Sequence, residues 1–266
     1  MGDTLLEALL DRHPVRHVRV GPEDWSYFDS AATSPAVLLL GGGQGDASVF
    51  HRQFEAFGAQ VRLVAPTYPA SADLAATLAD LVAFMDAVGL ARPHVVGSSL
   101  GGYLGLALAQ AHPDRLDRLI AACAFADCAA EKALFPPAAR IAEQPAELLK
   151  AQTLARLEAA GPPASAAHLT AAVELRTAIT RQPAHILKGR TLAILGSPPL
   201  PPLRIDPEAV ALLDCEDDPV ITPATRAELR ARLPGSVRIT LALGGHVPAM
   251  LAADQFNALM QRHLGL

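Results

Sequence analysis

The chain has 266 residues, 51% of them hydrophobic and 18% charged, and carries a formal net charge of -5. This is enough apolar material for one large core, read here as a single domain with an embedded insertion, and the mild negative charge lacks the basic footprint of a nucleic-acid binder. A small-molecule substrate fits that balance better.

Three cysteines, Cys123, Cys128 and Cys215, have no metal-ligand spacing and suit small buried thiols in a reducing compartment. The start Met1-Gly2-Asp3-Thr4-Leu5-Leu6-Glu7 is acidic rather than a secretory leader, and no uninterrupted apolar run approaches the ~18 residues of a membrane span. A soluble, cytoplasmic chain with no membrane span is the expectation.

In chain order, residues 15–20 and 25–28 read as antiparallel lead-in strands. Ala36-Val37-Leu38-Leu39-Leu40 is a continuous apolar run stopped by Gly41-Gly42-Gly43, as for a strand buried on both faces. Val49, Phe50, Phe54 and Phe57 then recur at helical spacing before Gly58, and residues 61–65 form the next strand, ended by Pro66. Residues 72–88 place Leu74, Leu78, Leu81, Val82 and Met85 on one helical stripe, closed by Gly89. The strand His94-Val95-Val96, a helix running to His112 and a strand over residues 119–123 follow. Alternating apolar strands and amphipathic helices predict a mostly parallel sheet covered on both faces.

Residues 127–185 change character. They are alanine-rich and broken at Pro136-Pro137, Pro145, Gly161-Pro162-Pro163 and Pro183, which predicts two or three helices inserted as a small cap between core segments 1–126 and 186–266. A cap at that point lies over the strand C-terminal ends, where open α/β sheets bind ligands. Thr191-Leu192-Ala193-Ile194-Leu195-Gly196 reads as a buried strand, an edge strand or part of the cap connection. Residues 209–213 read as the sheet strand that delivers an acid, and residues 223–233 as a helix begun by proline. Residues 237–241 form the last strand.

The chemistry centres on Gly97-Ser98-Ser99-Leu100-Gly101, a serine framed by glycines where a strand ends and a helix begins. A serine on such a strained turn is exposed and pointed at a substrate. Its hydroxyl is a weak nucleophile, so a base must take its proton and a third group must orient that base. His246, in Gly244-Gly245-His246-Val247-Pro248 after the last strand, is the candidate base. Asp218 is the candidate acid, fourth in Cys215-Glu216-Asp217-Asp218, where Cys215 replaces the glycine of a G-x-x-D strand-end pattern. Asp217 is the alternative acid and Asp214 the third choice. An oxyanion needs amide donors: Leu100 at the helix start is one candidate and Gly43 of the glycine loop the other, with Gln44 as second choice.

The elbow Val95-Val96-Gly97-Ser98-Ser99-Leu100-Gly101-Gly102, the segment His112-Pro113-Asp114-Arg115 and the histidine motif resemble the α/β-hydrolase superfamily from about Trp25 onward. Within it, Val49-Phe50-His51-Arg52-Gln53, Ala65-Pro66-Thr67-Tyr68-Pro69 and Leu213-Asp214-Cys215-Glu216-Asp217 are similar to the maspardin branch. The superfamily resemblance implies an α/β-hydrolase fold, a serine hydrolase acting on a small carboxylic ester or thioester, and no cofactor or metal. The maspardin likeness implies a non-catalytic adaptor with a protein partner. Two departures bear on the choice: His246 stands where maspardin has Asn, and Leu40-Gly41 replaces the superfamily's usual His-Gly.

Overall fold

Apolar strands whose side chains alternate between two faces dictate the architecture. In the computed structural model, residues 5–33, 35–133, 135–159 and 166–266 are described. They form one sheet of eight strands: β1 Arg16–Val20, β2 Glu23–Asp29, β3 Ala36–Leu40, β4 Arg62–Thr67, β5 His94–Ser98, β6 Leu119–Ala122, β7 Val210–Cys215 and β8 Val237–Leu241. Their spatial order is β1-β2-β4-β3-β5-β6-β7-β8. β1 and β2 are antiparallel to their neighbours, and all pairs from β4 to β8 are parallel.

Helices α1 Leu5–Arg12, α2 His51–Phe57, α3 Leu74–Ala87 and α4 Leu100–Ala111 accompany the first strands. Helices α5 Ala129–Lys132, α6 Ala138–Glu143, α7 Ala146–Ala159, α8 Ala166–Arg181 and α9 Ala184–Gly196 follow β6, and α10 Pro223–Arg232, α11 Pro248–Leu251 and α12 Ala253–Leu264 complete the chain. Period two sorts β3 cleanly. Leu38 and Leu40 join Leu81 and Phe84 of α3 and Leu104 of α4 on one face, while Val37 and Leu39 join Phe54 of α2 and Phe256 and Met260 of α12 on the other. Every residue of β6 and β7 is buried, as parallel strands sandwiched between helices require. Edge strand β1 instead carries exposed Arg16, His17 and Arg19, charges that oppose pairing with another chain.

Residues 191–196 are not a strand. They are the last turns of α9, a 13-residue helix whose Leu187, Arg190 and Ala193 are buried at helical spacing. A short apolar run is ambiguous between the two periods, and here its contacts with the glycine loop and the core settle it. Helical structure therefore continues to Gly196, in five helices among the described residues rather than two or three. The break expected at Gly161-Pro162-Pro163 lies outside the described residues. The proline-rich run after α9 is tied down: Leu200 N–H donates to the Ala126 carbonyl, and Tyr103 O–H to the Pro198 carbonyl.

Candidate active site

β5 delivers Ser99 and α4 begins at Leu100, so Ser99 is the single residue of the turn. Its φ of 54° and ψ of -116° lie in a region that side chains rarely adopt. The surrounding glycines explain how this is sustained. A β-carbon on Gly97 would stand 2.2 Å from the Gly101 carbonyl oxygen, one on Gly101 2.0 Å from the Leu40 carbonyl oxygen, and one on Gly102 2.5 Å from Ala124 Cβ. Strand and helix approach too closely for anything but glycine. The Ser99 N–H donates to the Ala122 carbonyl at 2.9 Å, which fastens the turn to β6.

The other two groups arrive on loops at the C-terminal ends of β7 and β8. His246 Nε2 lies 2.9 Å from Ser99 Oγ, and His246 Nδ1 lies 3.1 Å from both oxygens of Asp218. With Asp218 ionised, Nδ1–H donates to the carboxylate and Nε2 accepts from the Ser99 hydroxyl. The Asp218 side chain is 1% exposed and His246 22%. Burial pushes the Asp218 carboxyl upward in pKa, but His246 and the amides of Val220 and Ile221 outweigh it and leave the group below its ordinary value.

The three aspartates of this region separate by role. Asp217 accepts from the N–H groups of Gly244, at 3.0 and 3.2 Å, and Gly245, at 2.8 Å, so it tethers the loop that carries His246. Asp214 is committed to Arg230 at 2.5 Å. Asp218 is the one brought against His246. Cys123 Sγ, Asp218 and His246 offer ligand atoms within 4.8 Å of one another. The thiol is hydrogen-bonded to Cys215, which with burial holds it well above its ordinary pKa and protonated. A metal there would have to break the Asp218–His246–Ser99 chain.

Ser99 and His246 open onto a cavity of about 270 Å³. Phe50, Phe125, Leu157, Leu175, Ile194 and Met250 give it apolar walls. Gly42, Gly43, Gln44 and Gly45 form one side, and a β-carbon on Gly42 would lie 3.4 Å from Ser99 Cβ. Leu100 opens α4 beside Ser99, where free amides and the helix dipole favour developing negative charge.

A model of the alpha/beta hydrolase family matches residues 36–259. This chain belongs to the alpha/beta hydrolase family. It is 38% identical over 100 residues to the "Putative carbamate hydrolase RutD" of Caulobacter sp. (strain K31), covering 34% of this chain and 37% of that protein. It is 31% identical over 137 residues to a 2-hydroxy-6-oxononadienedioate/2-hydroxy-6-oxononatrienedioate hydrolase of Burkholderia vietnamiensis, covering 45% and 47%. The matched stretches thus span less than half the length of these relatives. Among solved structures, the enol-lactonase of Burkholderia xenovorans LB400 superposes with a TM-score of 0.76 at 18% identity, over 94% of this chain and 100% of that one. An esterase of Thermogutta terrifontis gives 0.76 at 20%, over 94% and 98%. At these identities the superpositions establish the shared fold.

In this alpha/beta hydrolase the glycine loop is held by residues that sequence reasoning did not single out. Tyr68 O–H donates to the Gly41 carbonyl at 3.1 Å, Gln182 Nε2 to the Gln44 carbonyl at 2.8 Å and Arg190 Nη1 to the Gly45 carbonyl at 2.8 Å. Arg190, 2% exposed, also donates to Gln182 Oε1 and the Tyr68 carbonyl, both at 2.7 Å. Its surroundings lower the guanidinium to about 10, chiefly by burial, so it stays charged at neutral pH. A second tie joins α8 to the core: Glu174 approaches His51 Nε2 at 3.2 Å and Arg52 at 3.3 Å. The only sequence signal for either tie is a charged residue at a buried helical position, visible once the helix face is known.

Proposed function

We propose that this chain is a serine hydrolase acting on a small carboxylic ester or thioester, with Ser99 as nucleophile, His246 as general base and acid, and Asp218 as the group that orients His246. The observation that carries this reading is the unbroken hydrogen-bond chain from Asp218 through His246 to Ser99 at the mouth of an apolar cavity. Ser99 Oγ attacks the carbonyl carbon while its proton passes to His246 Nε2. The tetrahedral oxyanion is held by the amides of Leu100 and Gly43, each worth about 3 kcal/mol of transition-state stabilisation. Collapse expels the leaving group, which takes the proton from His246. Water then attacks the acyl-enzyme with His246 again as base, releasing the acid and restoring Ser99.

The relatives' names extend the substrate range to consider, because a carbamate is attacked at its carbonyl carbon in the same way as an ester. A fluorophosphonate probe and a series of chromogenic esters of increasing acyl length test the proposal. Wild type should be labelled and should turn over short esters, while Ser99→Ala loses both by at least 10³-fold. Equal labelling of the two proteins, or turnover indifferent to Ser99, would overturn it; no labelling and no turnover in wild type would overturn it and leave the adaptor role that the maspardin likeness implies.

A further inference from the structure

Among the described residues, Glu131 is the one carboxylate that lines the cavity, and no described lysine or arginine lines it. It sits on α5, is 3% exposed, and shares the cavity lining with Cys128, Phe125, Phe135 and Ile221. Its Oε1 accepts from the Thr222 N–H at 2.9 Å. Its Oε2 is buried with no hydrogen-bond partner among the described residues. The nearest cation in sequence is spent elsewhere, since Lys132 donates to the Ser197 carbonyl at 2.5 Å. The polar groups around it are also committed: Cys128 Sγ meets Ser197 Oγ, and Thr222 Oγ1 caps α10.

A buried carboxylate oxygen with neither counter-charge nor donor is costly in an apolar wall. A single hydrogen bond to Thr222 occupies one oxygen only, so it does not account for the second. Both facts are met if the missing donor arrives with the ligand. We infer that Glu131 is a specificity-determining residue: with a turn of its side chain toward the cavity, its free oxygen receives an N–H or O–H donor of the substrate, so the cavity takes acyl compounds bearing an ammonium, amide or hydroxyl group and rejects those bearing a carboxylate. The inference rests on the serine-hydrolase reading for the bond that is cleaved, and on Glu131 alone for the selectivity.

The test is a set of p-nitrophenyl esters of equal chain length whose acyl end is an ammonium, hydroxyl, methyl or carboxylate group. A second set of alkyl esters of one common acid, followed by acid release, carries the same four ends on the alcohol side. In one of the two sets kcat/KM should fall from the donor-bearing members to the methyl analogue by tenfold or more, and again to the carboxylate. Glu131→Gln keeps an acceptor for Thr222 and presents an amide to the ligand, so it should flatten the preference for ammonium over methyl and raise the carboxylate ester by tenfold or more. Circular dichroism and thermal unfolding report whether that variant folds. Should it fail to fold, the wild-type ranking decides. Absence of a donor preference in both sets, or a preference unchanged in folded Glu131→Gln, overturns the inference. If no ester is turned over and Ser99 is not labelled, the serine-hydrolase reading has failed instead. The same esters are then ranked by calorimetric binding, where donor-bearing members must bind tighter than carboxylates in wild type and lose that advantage in Glu131→Gln.

Discussion

The two walls that flank the Ser99 hydroxyl are held by different physics. The elbow is held by contact: Gly97, Gly101 and Gly102 bring strand and helix so close that a single β-carbon would overlap backbone or Ala124 atoms. The Gly41–Gly45 loop is held by hydrogen bonds to three of its carbonyls from Tyr68, Gln182 and Arg190. The Gly97–Gly101 exclusion is local to the turn, while Gly101 and Gly102 are also pressed against the Leu40 carbonyl and Ala124, rigid parts of the sheet layer. A polar clamp reaching 138 and 145 residues along the chain depends on the inserted helices being in place. The elbow should therefore fail all at once, and the loop by degrees.

Gly101→Ala is expected to have the largest effect. Its β-carbon would meet the carbonyl oxygens of Leu40 and Gly41 at 2.0 and 2.7 Å, backbone atoms that cannot step aside. A loss of about 3 kcal/mol or more, or of folded protein altogether, should appear in denaturant unfolding. Survival of Gly101→Ala with near-normal stability would erase the contrast between the walls. Asp218→Asn should leave the fold intact and lower kcat by about 10³-fold or more, read in steady-state ester hydrolysis, because the imidazole loses the partner that fixes its tautomer. A fall of less than tenfold would show that the elbow works without that partner.

Arg190→Met sharpens the comparison from the loop side. It leaves the Gly45 and Tyr68 carbonyls without a donor in the interior, at a cost of about 2–4 kcal/mol. The loosened loop should lower kcat by about 10- to 100-fold with little change in KM, since the amides matter in the transition state rather than in substrate binding. Unfolding curves and steady-state kinetics separate the two effects. Asp217→Asn should cost less, about tenfold in kcat, because one amide-side oxygen can still accept from Gly244 or Gly245.

The smallest effect belongs to a pair remote from both walls, Asp29 and Arg62, 2.9 Å apart. Burial raises the Asp29 carboxyl, but the hydrogen bond and charge of Arg62 and the Ala31 amide outweigh it and leave it below the ordinary 3.8. A carboxyl depressed on folding contributes stability that is complete above its unfolded value and is lost as pH falls through the folded one. Wild type should exceed Asp29→Asn by about 1 kcal/mol at pH 7, and the gap should close below the ordinary aspartate value, measured by denaturation across pH 7 to 3.

The legible part of the molecule was the part governed by short range. Alternating faces at Ala36–Leu40 marked a central strand, and the Gly-x-Ser-x-Gly spacing marked the elbow, because both follow from backbone periodicity and sterics within a few residues. Residues 191–196 misled because the short apolar run Leu192-Ala193-Ile194-Leu195 satisfies a strand as well as a helix, and the choice fell to the packing of Leu187, Arg190 and Ala193. Glu131 and Arg190 could be read only once their helix faces were known, since neither charge by itself announces that it will be buried.

By itself the sequence determined a mostly parallel sheet between helices, a strained Ser99, and the chain order of serine, aspartate and histidine loops. Only the tertiary structure decided that Asp218 meets His246 while Asp217 ties its loop, that α9 clamps the glycine loop through Arg190, and that Glu131 ends with one oxygen unpaired in an apolar wall. The reason is physical: a turn obeys sterics that its own residues supply, whereas a polar partner is chosen by whichever group the fold brings within 3 Å.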